Sequence, residues 1–280
     1  MRRARRAGAR AAPPPEAARA GSTGTYLDNI VAWHRERAAH DERSVQKLEA
    51  EARTAGPTRD FRGAIAGGGL SIITEVKRRS PSRGDLAPDL DTARLAKAYE
   101  AGGAACLSVL TDEPHFGGSA EDLVQAREAT GLPVLRKDFT VSPRDVCDAR
   151  LMGADAVLLI VAALDDGELA ELRALAADLD LAALVEVHDE AEAERALAAG
   201  ADLVGVNQRD LSTFEVDEER AVRMAAALPA DVVTVAESGI RGERDLPALR
   251  DAGYAAVLVG ESLVTSPDPE AAVRALNGAE

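Results

Sequence analysis

Eight short apolar runs recur along the chain, beginning near Leu70, Ala104, Pro133, Asp155, Ala182, Asp202, Asp231 and Ala255. Successive starts lie 34, 29, 22, 27, 20, 29 and 24 residues apart, each interval long enough for a strand, a turn, a helix and a second turn. The runs (SIITEV, CLSVL, PVLR, AVLLIV, ALVEV, LVGV, VVTV, AVLVG) are continuously apolar rather than alternating. That pattern marks strands covered on both faces, as in a parallel sheet. Between them, apolar residues return at helical spacing, for example over 91–101, 168–179 and 190–199. Several of these stretches close at a glycine just before an alanine (Gly102, Gly153, Gly200, Gly253), the expected helix stop ahead of a strand.

Eight βα units could form an open doubly wound sheet. No G-x-G-x-x-G loop follows the first run, which weakens a dinucleotide-binding version of that fold. Eight is also the number that closes a parallel barrel, so the pattern predicts an α/β fold, a (β/α)8 TIM barrel over about 67–280. Ahead of it, Leu27, Ile30, Val31 and His34 share one helical face, and a second helical run covers 44–53 before Gly56-Pro57. Residues 25–280 are therefore expected to form one barrel domain with an N-terminal helical extension over about 25–66. Residues 1–24, rich in Arg, Ala, Pro and Gly without periodicity, are expected to be a disordered tail.

Composition agrees with a Leu/Val/Ile/Ala core, because aromatics make up only 3% of the 280 residues. The formal charge is −15; residues 1–20 hold six Arg and one Glu, leaving −20 on the rest. Nothing forms a basic stripe, so no nucleic-acid partner is expected. An anionic substrate would need a local positive site. No run approaches a membrane span, and the Arg pairs at the start lack an apolar stretch behind them, so no membrane partner and a cytoplasmic location are expected. Cys106 and Cys147 read as packing thiols in a reducing compartment. No His/Cys/Asp cluster has metal-ligand spacing, so no metal is expected. Trp33 and His34 read as packing and surface residues, and His188 as a structural residue at a strand end.

A barrel carries its active site at the carboxyl ends of its strands. Polar residues collect at those ends: Glu75 and Lys77 after the first run, Lys137 after the third, Glu186 after the fifth. Asn207 and Arg209 follow the sixth, Glu237, Ser238 and Gly239 the seventh, Gly260 and Glu261 the eighth. Residues two apart on a strand face the same way, so Glu75 and Lys77 can share a mouth, as can Asn207 and Arg209. Burying several charges there has a cost that packing alone does not require. The small residues after the last two runs suit a phosphate, with backbone amides as donors. Glu261 belongs to that loop, but its carboxylate is expected to turn away from an anion.

The matching segments resemble indole-3-glycerol-phosphate synthase. They are I-T-E-V-K-R-R-S-P-S-R-G at 73–84, L-S-V-L-T-D at 107–112 with F-G-G at 116–118, and P-V-L-R-K-D-F at 133–139. Further on come A-D-A-V-L-L-I at 154–160, V-E-V-H at 185–188, G-V-N-Q-R-D-L at 205–211, A-E-S-G-I at 236–240 and V-G-E-S-L at 259–263. They stand in family order and span residues 26 to about 276.

The resemblance implies conversion of 1-(2-carboxyphenylamino)-1-deoxyribulose 5-phosphate to indole-3-glycerol phosphate, carbon dioxide and water, with no metal or organic cofactor; a monomer is expected. By that resemblance Lys137 is the general acid and Glu186 the carboxylate for the later proton removal. Lys77 holds the substrate carboxylate and is a second candidate acid, while Glu75 and Asn207 orient the lysines and the hydroxyls. Ser80, Arg209, Glu237 and Ser238 fall on the polar side of the substrate; Ser238, Gly239, Gly260 and Glu261 fall around the phosphate. Leu110, Phe116, Leu158 and Ile160 form an apolar slot for the anthranilate ring. His115, Asp145 and Gln208 depart from common family residues. A rival sugar-phosphate barrel, such as phosphoribosylanthranilate isomerase, would share the phosphate site but not the trio Lys77, Lys137 and Glu186. A non-catalytic barrel would be favoured by loss of any of the three, and all are present.

Overall fold

The computed structural model describes residues 24–278 apart from Ser82, Leu211 and Ser212. The expected tail, save Gly24, lies outside the described residues. Eight parallel strands close on themselves. They are β1 (Ser71–Val76), β2 (Cys106–Leu110), β3 (Val134–Lys137), β4 (Ala156–Ile160), β5 (Ala182–Val187), β6 (Leu203–Asn207), β7 (Val233–Glu237) and β8 (Ala256–Val259). Each pairs with its neighbour in sequence, and β1 closes the ring against β8, Ser71 opposite Ala256 and Thr74 opposite Val259. Every strand begins within about two residues of the start read from the apolar runs.

Alternation along each strand divides the core in two. Ile72, Val76, Leu107, Val109, Val157, Leu159, Val204 and Val206 face outward and pack against the surrounding helices. Ile73, Cys106, Leu135, Ala156, Leu184, Leu203, Val235 and Ala256 face inward and fill the barrel. Both cysteines are free and buried, and burial pushes the Cys147 thiol up to about 11.

Three helices precede the barrel: α1 (Tyr26–Ala39), α2 (Val45–Ala52) and α3 (Phe61–Ile65). Thr25 caps α1 through a reciprocal bond with Asp28, and Ser44 caps α2. The short α3, not expected from the sequence, drops Phe61 and Ile65 into the inward-facing core and closes its lower end. Also unexpected is a two-stranded hairpin, Arg79–Ser80 against Gly84–Asp85, in the loop after β1. The helix stops need one correction. Gly153, Gly200 and Gly253 take the left-handed conformation, but at the first stop Gly103 does so, while Gly102 stays right-handed.

Candidate active site

At the upper end of the barrel the inward-facing positions change from apolar to polar, and a cavity of about 1100 Å3, counted with its open mouth, lies over them. Every candidate site residue named from the sequence lines it: Glu75, Lys77, Ser80, Leu110, Phe116, Lys137, Leu158, Ile160, Glu186, Asn207, Arg209, Glu237, Ser238, Gly239, Gly260 and Glu261. The ionisable side chains of β1, β3, β5 and β7 thus meet over one space.

Lys137 stands at the centre of this group. Its Nζ lies 3.3 Å from Glu186 Oε2 and 3.5 Å from Glu237 Oε2. Burial works to lower its pKa, but the facing charges of Glu186, Glu237 and Glu75 outweigh it, and the ammonium holds its proton more firmly than an ordinary lysine. The two carboxyls beside it diverge. Glu186 resists ionisation through burial, yet Lys137, His188 and a 3.0 Å bond from Asn207 Nδ2 pull its pKa below the usual range. For Glu237 burial wins over Lys137, and the nearby Glu186 and Glu75 add to it, so its carboxyl is pushed up to about 8. Its Oε1 is buried with no hydrogen-bond partner. The two carboxyls beside Lys137 are thus pushed in opposite directions, Glu186 down and Glu237 up.

Two glycines make room for these groups. A Cβ on Gly205 would lie 2.1 Å from Glu237 Oε1, and one on Gly260 would lie 2.3 Å from Glu75 Oε1. Gly260 thus accommodates the ion pair that Lys77 Nζ forms with Glu75, a role that the sequence did not indicate.

After β7, Ser238 and Gly239 both take left-handed backbone angles (φ 64° and 77°) and turn the chain sharply at the mouth. Gln208 steadies that turn by donating from Nε2 to Ser238 O at 2.8 Å. Arg209 donates to the carbonyl of Phe214 at 3.1 Å, and its backbone N–H donates to Asn207 Oδ1 at 3.0 Å. Glu261 lines the cavity, but its carboxylate meets Arg83 Nε at 2.8 Å.

The sequence missed a whole wall. Tyr26, Leu27 and Ile30 of α1 line the cavity together with Pro81, Asp138, Phe139, Phe214, Ile240 and Leu258. The rings of Tyr26 and Phe214 meet edge-on, 5.0 Å between centroids. The apolar spacing of Leu27 and Ile30 was visible, but not which surface it covered. His34, read as a packing or surface residue, is 1% exposed and places Nε2 2.8 Å from Asp112 Oδ2, tying α1 to the loop after β2. Asp145 adds a second tie, accepting from Arg37 at 2.6 Å.

Among the described residues one group could surround a metal: His34, Asp112 and His115, with ligand atoms within 4.8 Å of one another. Both imidazoles are already hydrogen-bonded to the one carboxylate. A metal on His34 Nε2 would force the proton onto Nδ1, which is buried without a partner. The hydrogen-bonded arrangement fits the donors better.

Comparison with known proteins assigns this architecture. The family model described as indole-3-glycerol phosphate synthase matches residues 27–276. The chain belongs to the indole-3-glycerol phosphate synthase family. An indole-3-glycerol phosphate synthase from a Nocardioides species is 52% identical over 258 residues, covering 91% of this chain and 99% of that protein. That of Mycobacterium ulcerans is 50% identical over 254 residues, covering 90% and 93%. Among solved structures, an N-acetylmannosamine-6-phosphate 2-epimerase from Clostridium perfringens shares the fold at a TM-score of 0.57 and 16% identity, covering 74% of this chain and 93% of that one. No described helix is long and apolar enough to cross a membrane.

Proposed function

We propose that this member of the family closes the indole ring of 1-(2-carboxyphenylamino)-1-deoxyribulose 5-phosphate, releasing carbon dioxide and water. The observation that carries the reading is Lys137 poised between the carboxyls of Glu186 and Glu237, 3.3 and 3.5 Å away, inside one cavity. Ring closure needs a proton delivered to a ketone oxygen, and the later dehydration needs one removed nearby. Lys137 delivers the first, and Glu186, oriented by Asn207, takes the second. A lysine–carboxylate pair about 4 Å apart is worth roughly 4 kcal/mol at an effective dielectric near 20, enough to hold both charges against partial burial. Lys77, steadied by Glu75, holds the substrate carboxylate.

The flexible substrate must also be folded onto itself. The turn at Ser238 and Gly239, with Gly260 and the backbone at Glu261, receives the phosphate at one side of the mouth, and Arg209 and Ser80 lie along the polar wall. Leu110, Phe116, Leu158 and Ile160 receive the aromatic ring. Fixing both ends supplies orientation worth several kcal/mol. No residue of a second copy is needed, so a monomer suffices. The helices before the barrel and the barrel act as one unit, since both line the cavity. Two free, buried thiols fit a reducing compartment, and we place the reaction in the cytoplasm.

The test is turnover. Purified protein, without added metal or cofactor, is expected to form indole-3-glycerol phosphate from this substrate. No product after prolonged incubation with folded protein would refute the assignment.

A further inference from the structure

Immediately beyond β5 stands His188, which does not line the cavity. Its side chain is mostly buried, and each ring nitrogen faces a carboxylate. Nδ1 lies 3.0 Å from Glu192 Oε2, and Nε2 lies 3.5 Å from Glu186 Oε1. The same Glu192 oxygen accepts the backbone N–H of His188 at 2.8 Å. Glu192 is itself held in the first turn of helix Glu190–Ala198, its N–H donating to Asp189 Oδ1 at 2.8 Å. The ring is thus gripped from the helix side and aimed at Glu186.

A neutral imidazole has one N–H, so between two carboxylates one nitrogen would present its lone pair to an anion. An imidazolium has two N–H groups: Nδ1–H donates to Glu192, and Nε2–H, which has no hydrogen-bond partner, presents its charge to Glu186 at 3.5 Å. Burial opposes that charge, the bond to Glu192 and the charges of Glu186 and Glu192 favour it, and Arg220 opposes it; the balance raises the His188 pKa. Glu186 meets two other donors, Lys137 and Asn207. Asn207 carries no charge, and Lys137 gives its proton away during the reaction. Only His188 offers a cation that the chemistry does not consume.

We propose that His188 is a positioning residue for ring closure. Its imidazolium, anchored by Glu192, keeps the Glu186 carboxylate ionised and oriented while Lys137 is transiently neutral. The inference rests on the role given to Glu186 above. Without His188, that carboxylate would be left buried beside a neutral amine and an amide, and would take up a proton at the wrong stage.

The experiment compares the wild-type full chain with His188→Asn and Glu192→Gln, measuring kcat and KM from about pH 5 to about pH 9. In His188→Asn, KM is expected to stay within about twofold of wild type. Its kcat falls roughly tenfold at about pH 5 and converges with wild type toward about pH 9, where the wild-type ring is itself neutral. Glu192→Gln moves the same way by less. A loss independent of pH, or none at about pH 5 with the fold intact, overturns the proposal. Proton NMR titration of the His188 ring reads the imidazolium without turnover, so it separates this inference from the activity itself. The midpoint is expected above the free-histidine value of about 6.5 and lower in Glu192→Gln; a wild-type midpoint at or below that value overturns the proposal whatever the activity.

Discussion

The lower and upper halves of the barrel interior are built from the same eight strands, yet they do opposite things. Below, Ile73, Leu135, Leu184, Leu203 and Val235 meet Phe61 and Ile65 in a dry apolar floor. One inward-facing step higher, about 7 Å along the strand, Glu75, Lys137, Glu186 and Glu237 replace them, with Asn207 one step above Gly205. The carboxyls and Asn207 are nearly as deeply buried, while Lys137 is partly exposed. The floor lowers the free energy of the fold through burial. The rim holds ionisable groups away from water, where their mutual fields are strong and their proton affinities diverge. A dry floor is what allows a costly rim.

Substitutions that separate the two layers sharpen this contrast. The largest expected effect is at Lys137→Ala, where kcat should fall by a factor of roughly 100 to 10,000 while far-UV circular dichroism stays native; retained turnover would remove the lysine from the chemistry. Leu135→Ala in the floor should do the reverse, costing about 2–5 kcal/mol in denaturant unfolding with kcat per folded molecule unchanged. A large kcat loss there would show that the layers are not separable.

Gly205→Ala probes the seam between the layers. Its Cβ would collide with Glu237, and displacing that carboxyl should lower kcat about tenfold with a stability cost of about 1–3 kcal/mol; a crystal structure with Glu237 unmoved would contradict this. The smallest effect is a pH dependence. The Glu237 pKa is raised to about 8 in the folded chain against about 4.3 unfolded. Between those values the folded state binds the extra proton, so the group's contribution falls as pH rises. Glu237→Gln should therefore gain stability relative to wild type from about pH 5 to about pH 8, by at least about 1 kcal/mol, roughly 2–4 °C in Tm. A gain that shrinks over that interval would show the carboxyl is ionised when folded.

The apolar runs announced the strands because each is covered on both faces, and the charged residues at their ends announced the rim because nothing else explains them there. What stayed hidden depends on clearance and on contacts between distant segments. The five residues of α3 are too short for a period, so nothing marked Phe61 as the plug of the barrel. The spacing of Leu27, Ile30, Val31 and His34 gave a helix face but not its partner. Gly205 sits in a continuous run that reads as ordinary strand, and Gly260 read as a small residue beside the phosphate; the need for their missing Cβ atoms becomes visible only when the side chains of Glu237 and Glu75 are in place. His188 is similar: its neighbour Glu186 drew attention, while Glu192, four residues on, turns the ring into a two-sided contact.

The placement of the two ends of the described chain has a practical consequence. Tyr26 opens at the mouth, whereas Asn277 bonds to the carbonyls of Gly102 and Gly103, in the turn that leads into β2 from the opposite face. A support, tag or fused protein joined at the carboxyl end would sit behind the barrel and leave substrate entry free. The same cargo placed against Tyr26 would stand in the doorway.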